Sequence, residues 1–343
     1  EGAGGQHVVA TISSDQGRTW SPLIDIEPAS GPSASWVVPL LTPGGRVYVF
    51  YNYNGDRVEV PQFPHVKHRR DDTLGWYAWK YSDDHGRTWS ERHRLPMPMA
   101  DVDRGNEWQG KVQLFWGIDK PVVAGGRVLF GFSRLGGFFQ ERGEGWIYQS
   151  DNVLTERDPA KIRWSLLPEG GRGLRGHAFG SIQEEHNVVP LANGDLFCIW
   201  RGEIGYPIQA YSRDGGRTWT EPALATYSPG GRRLKNPRAC PMLWRTQDGR
   251  FLFWFHHNSF PRTGGPARNV AWLAGGIERD GFIQWSQPEP ICYQPDRRRG
   301  ASYPDLIEWQ GRYFISATNK QEARILEVDA ALQIGRASYR ERV

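Results

Sequence analysis

Arg201 closes the apolar run DLFCIWR (195–201), and it is one of several arginines set in or beside apolar strands. A guanidinium in such a place needs an anionic partner, because an unpaired buried charge is costly. The partner is either a carboxylate of the chain, with Glu184 and Glu185 upstream, or a small anionic ligand held by the planar fork. Four histidines, His177, His186, His256 and His257, lie in or beside comparable segments. They bring groups that exchange protons near neutral pH, although a hydrogen-bonded core position accounts for each equally well. A third polar set repeats: ISSDQGRTWS (12–21), YSDDHGRTWS (81–90) and YSRDGGRTWT (211–220). In Ser-x-Asp-x-Gly-x-Thr-Trp the acid accepts hydrogen bonds from the amides of its own turn. Gly permits positive φ, and Trp packs between neighbouring sheets. These acids, and His85 in a variable slot of the turn, are therefore read as structural.

The elements that position such groups are strands. Helical periodicity is nearly absent. Short apolar or alternating runs dominate, among them RVYVFYNYN (46–54), RVLFGFS (127–133), RFLFWFHHN (250–258) and GRYFISATN (311–319), each bounded by Gly, Pro, Asn or Asp. Asp15, Asp84 and Asp214 are 69 and 130 residues apart, and the second interval is about twice 65. Worn relatives of the turn, YQSDNVLTERDPAKIRWS (148–165) and ERDGFIQWS (278–286), fall in the gaps, which makes five similar turns at spacings of 60 to 70. A second echo runs in register: TPGGRVYVF, VAGGRVLFGF, LANGDLFCIW, TQDGRFLFWF and EWQGRYFISA. The double period predicts a radially repeated β architecture.

Composition bounds the partners. Among 343 residues, 38% are hydrophobic and 23% charged, which fits a globular chain and not a disordered one. The 42 basic and 38 acidic residues are too balanced for a nucleic-acid binder. The basic run DRRRG (296–300) reads as a solvated loop. Three scattered cysteines, Cys198, Cys240 and Cys292, form no CxxC pair, so neither a zinc knuckle nor a disulfide framework is indicated. No apolar run approaches the roughly 20 residues of a membrane span. The chain opens EGAGGQHVVATIS without an initiating Met, and an upstream segment is expected to precede it. A secreted or periplasmic location is expected.

The repeated turn resembles the Asp-box, the bacterial neuraminidase repeat, and the chain is similar to the sialidase superfamily of β-propellers over about residues 34 to 328. The resemblance implies one all-β domain across residues 1–343, a propeller of six four-stranded antiparallel blades, or seven. It also implies an arginine triad that clamps a substrate carboxylate, a Tyr nucleophile with a Glu partner, and an Asp acid/base. EEHNVVPLANGDLFCIWR (184–201) is similar to the segment with the Glu and the second arginine, which places Glu185 or Glu184 and Arg201 in those roles. ARNVAWLAGGIERDG (267–281) implies Arg268 as the third arginine, and GASYPDLIEWQGRYFIS (300–316) implies Tyr303 as the nucleophile. The acid/base falls on the loop before the second Asp-box, at Asp72 or its neighbour Asp71. The chain departs from the pattern twice. SWVVPLL (35–41) carries Val37 where the first arginine belongs, and the loop 54–73 is unusually rich in His and Arg.

A tyrosine nucleophile suits a sugar with a carboxylate on the reacting carbon, since a neutral phenol does not repel it. The expected function is hydrolysis of a terminal acidic sugar, without cofactor or metal. Two alternatives stay open. A uronate lyase would use His186 or His256 with Tyr303 for proton transfer, and arginine to neutralise the acid. A carbohydrate-binding propeller would line its pocket with Trp108 of NEWQG (106–110), Trp116, Trp200, Trp254 and Trp272, although most of these suit the core. The expected partner is a glycan; no obligate protein partner is evident.

Overall fold

In the computed structural model, which describes residues 6–59, 70–260, 266–296, 298–319 and 322–328, the Asp-box string folds into the same turn three times. Ser82 Oγ donates to Asp84 Oδ1 at 2.7 Å and accepts from the Gly86 amide at 2.8 Å. Asp84 then accepts from the Thr88 amide at 2.9 Å and the Thr88 hydroxyl at 2.6 Å. Asp15 and Asp214 repeat these bonds with Thr19 and Thr218. Gly86 sits at φ 85°, a conformation that costs a residue with a Cβ. The threonine bonds hold Asp15 and Asp214 down to about 2, so these acids are spent on the turn. The tryptophans are less uniform than expected. Trp89 packs against the Val8, Ile26 and Ala34 cluster, whereas Trp20 is 47% exposed and donates to Gly17 O at 3.1 Å.

The chain divides into two compact units, residues 1–175 with 183–186, and residues 176–182 with 187–343. The first unit contains a nine-stranded sheet. One part is Ala34–Leu41, Val47–Tyr53, Leu74–Ser82 and His93–Arg94; the other is Val122–Ala124, Arg127–Arg134, Glu144–Ser150 and Ser165–Leu167. Gln113–Trp116 joins them, pairing Leu74 with Leu114 and Trp116 with Ser133. Alternation puts one aromatic face inward, and Phe50, Tyr77, Phe115, Phe130, Phe132 and Tyr148 share one core cluster. Phe130 lies 4.8 Å from Phe50 and 5.3 Å from Tyr148, centroid to centroid.

The N-terminal segment, a two-stranded ribbon of Val9–Ala10 and Ile24–Asp25, packs against the first of these sheet parts. Val8 and Ile26 meet Val49, Tyr51 and Ala78. Buried Glu27 accepts from the Tyr51 hydroxyl and both ends of the Arg92 fork, and lies 3.4 Å from Lys80 Nζ.

The second unit holds further antiparallel sheets. Leu196–Gly202, Ile208–Ser212 and Ala223–Leu224 form one with Gln183–Pro190, a strand whose first four residues are assigned to the first unit. Met242–Arg245, Phe251–Phe255, Ala271–Arg279, Phe282–Trp285 and Glu289–Cys292 form the next, and Ser302–Trp309, Arg312–Thr318 and Ala323–Val328 another. Phe197, Ile199, Tyr211, Phe253 and Trp285 belong to its core. Cys198, Cys240 and Cys292 are buried. Among the described residues no helix is long and apolar enough to cross a membrane.

Candidate active site

In the first unit, Asp72 sits in the single turn Asp71–Thr73, just before the strand Leu74–Ser82. It is 1% exposed. Its backbone carbonyl accepts from Ser35 Oγ at 3.0 Å and Asn52 Nδ2 at 3.3 Å, which anchors the turn to two neighbouring strands. Its carboxylate accepts from Trp36 Nε1 at 3.2 Å and Arg70 Nε at 3.1 Å. The Arg70 guanidinium lies 4.9 Å from the Trp116 ring, and the Trp36 and Trp116 rings are 5.1 Å apart. Asp72 is thus a buried carboxylate beside an aromatic pair, each oxygen engaged by a donor. Asp71 is half-buried in the same turn. Trp108 is half-buried too, packed with Leu74, Leu114, Trp116 and Leu135. Residues 60–69 of the histidine- and arginine-rich loop lie outside the described residues.

Glu184, Glu185 and His186 follow one another, all buried, in Gln183–Pro190. His186 Nδ1 is 2.8 Å from Ser133 Oγ. Burial, with the charge of Arg175, holds His186 down to about 3, against the bond to the Leu174 backbone. The backbones of Gly131 and Gly145 pass directly over it: a Cβ on Gly145 would stand 2.2 Å from His186 Cδ2. His186 is therefore embedded as a neutral core imidazole.

In the second unit, Arg201 lies at the end of Leu196–Gly202 and is 3% exposed. Arg268 ends the turn Pro266–Arg268 and is 8% exposed, so it does not face solvent. Its carbonyl accepts from the Ala301 amide at 3.1 Å, its Nη1 donates to Ser302 Oγ at 3.1 Å, and its guanidinium carbon is 5.6 Å from the Tyr303 ring centroid. The structure thus brings Arg268 and Tyr303 together. His256 joins them: burial first and the Arg268 charge second hold its imidazole down to about 3. Its amide donates to Asn236 Oδ1 at 2.9 Å, and its Nδ1 lies 3.3 Å from Val270 O. His257 Nδ1 meets the Tyr227 hydroxyl at 3.3 Å, and its ring is 5.3 Å from Trp272; His177 is exposed. Trp200 and Trp254 are fully buried, so they serve the core and not a sugar platform.

One backbone feature links both units' candidates. Trp36, Glu185 and Tyr303 are each the second or third residue of their strands, and their φ angles are 59°, 58° and 50°. The ladder shifts register between Ser35 and Val38, and again between Ser302 and Asp305. Left-handed backbone is unfavourable for such side chains and persists where surrounding structure imposes it, often at binding and catalytic sites. Sequence reasoning missed Trp36 and its bond to Asp72. The signal was present: Ala34-Ser35-Trp36 repeats as Ala301-Ser302-Tyr303. Val37, at the bulge where the first arginine was expected, is 41% exposed.

No curated protein matches the sequence. Solved structures do match the fold. The Hadza microbial sialidase Hz136 aligns with a TM-score of 0.62 and 15% identity, over 95% of this chain and 60% of its own. For the NanB sialidase of Streptococcus pneumoniae the values are 0.57 and 12%, over 93% and 62%. The intramolecular trans-sialidase from Ruminococcus gnavus gives 0.59 and 14%, over 94% and 88%. This chain therefore spans 60% of the length of the Hz136 protein. The profile of the BNR repeat-like domain family matches residues 37–315. With its repeated Asp-box turns and this match, the chain belongs to the BNR repeat-like domain family.

Proposed function

We propose that this chain is a glycan-active enzyme, an exo-glycosidase of sialidase type that removes a terminal acidic sugar, carried on a six-bladed propeller. The observation that carries the reading is the pairing of Arg268 with Tyr303, whose phenol is half-buried on left-handed backbone at a bulge. Arg268, with Arg201, supplies fixed positive charge for a substrate carboxylate. As the family resemblance implies, Glu185 takes the phenol proton as the Tyr303 oxygen bonds the anomeric carbon, and the aglycone leaves with a proton from Asp72; water, giving its proton to the Asp72 carboxylate, then releases the sugar while Tyr303 regains its proton from Glu185. The roles of Glu185 and Asp72 rest on the family resemblance. Val37 leaves the arginine set one member short at that position, which suits an acidic sugar other than the family's usual one. A location outside the cytoplasm fits a glycan substrate.

A uronate lyase is the second reading. His256, a neutral buried imidazole next to Arg268, favours it. A substrate carboxylate bound at Arg268 would offset the charge that depresses the imidazole and let it accept an α-proton. The test is a panel of aryl sialosides, aryl uronides and uronate-containing oligosaccharides, with products read by mass and ultraviolet absorbance. Hydrolysis adds one water and elimination leaves an absorbing unsaturated uronate. Absence of turnover across the panel would refute both enzymatic readings and favour a binding module.

A further inference from the structure

A cleft of ≈ 230 Å³ opens in the first unit, outside the residues assigned above. Val58 and Val112 line it, and these two side chains pack, as Trp36 and Trp108 do, against the buried cluster of Leu74, Leu114, Trp116 and Leu135. Gly75, three residues after Asp72, also lines it. Its φ of 107° and a would-be Cβ only 2.2 Å from Tyr53 O leave no room for a side chain there. The cleft thus adjoins the aromatic cluster that holds Asp72 through Trp36.

The charges in the cleft are unbalanced. Arg94 and Lys111 face one carboxylate, Asp56. Among the described residues neither cation is in an ion pair; Arg94 lies 5.2 Å from the Trp76 ring, and no side-chain bond of Lys111 is present. The Gln113 amide is fixed by donation to Asp103 Oδ2 at 3.2 Å, and Met97 and Met99 add apolar surface. Two unspent cations, a fixed amide and apolar thioethers suit a sugar ring with a carboxylate substituent.

We propose that this cleft is a second sugar position, beside Asp72 and on the leaving-group side, that takes a uronate residue of the glycan chain. It rests on the acidic-glycan reading above, but its test does not require turnover. Titration calorimetry would compare a hyaluronan hexasaccharide, which carries glucuronate, with uncharged chitin hexasaccharide, on wild type and on the Arg94→Gln, Lys111→Gln double variant. Both residues are exposed, so an unchanged thermal midpoint is expected. The proposal predicts about tenfold tighter binding of the anionic chain to wild type at low salt, and loss of that difference in the variant. Turnover of the glycosyl fluoride of the same acidic sugar, whose one-atom leaving group does not reach the cleft, should be equal in both proteins. Equal affinity for the two hexasaccharides, or undiminished binding by the variant, would overturn the cleft assignment. Cleft-dependent binding without any turnover would uphold it and refute the catalytic reading instead.

Discussion

Lowering the pH from 6.5 to 4.5 should destabilise this protein through two imidazoles. His186 and His256 are both held to about 3 by burial, against an ordinary value of 6.5. A histidine whose pKa falls on folding refuses in the native state a proton that the unfolded chain accepts. Its stability is intact above the unfolded value and is lost as pH falls toward the folded one. Each pH unit in that window costs about 1.4 kcal/mol per group. Two units therefore remove roughly 2–3 kcal/mol for each imidazole and roughly 5 kcal/mol together, a large share of the typical 5–15 kcal/mol margin. The Asp-box acids do not confuse the reading. Asp15 and Asp214 are shifted from 3.8 to about 2, so their contribution fades only below about pH 4. The assay is guanidinium unfolding followed by tryptophan fluorescence at pH 6.5 and 4.5. His186→Asn retains a polar nitrogen toward Ser133, and His256→Asn retains one toward Val270 O. Each variant should start less stable and lose roughly 2–3 kcal/mol less between the two pH values. Parallel losses in wild type and both variants would refute the reasoning.

Phe130→Ala empties the centre of the first unit's aromatic core and should cost about 3–5 kcal/mol, read as a lower denaturant midpoint. A loss below 1 kcal/mol would mean that the core closes over the gap. Arg268→Met should lower kcat/KM for an acidic glycoside about 100-fold, equivalent to roughly 3 kcal/mol of lost charge-assisted bonding, and should spare the methyl ester of the same substrate. An equal loss on acid and ester would show that Arg268 does not read the carboxylate.

The repeat was legible in the sequence because an Asp-box is local: every bond of the Asp84 turn closes within Ser82–Thr88. The strands were legible because alternation and glycine-marked turns act over a few residues. Contacts that join distant segments were not legible. Nothing near Glu27 announces Arg92, 65 residues on, yet the pair ties the N-terminal ribbon to its sheet. The burial of Arg268 was not legible either, because it depends on a turn docked beside Ser302. Its pairing with Tyr303 followed from the family resemblance and not from spacing. Trp36 was passed over because its role lies in the bond to Asp72 and in a bulge that no local pattern states, although the Ala-Ser-aromatic echo was there to be seen.

The central claim is that Tyr303 forms a bond to an acidic sugar. A fluorinated acidic-sugar inactivator, of the sugar type found active in the panel, followed by peptide mass mapping, tests it most directly. The account predicts one covalent sugar on the peptide that contains Tyr303, absent from Tyr303→Phe and weakened in Arg268→Met. An adduct on another residue, or turnover that survives Tyr303→Phe, would contradict it.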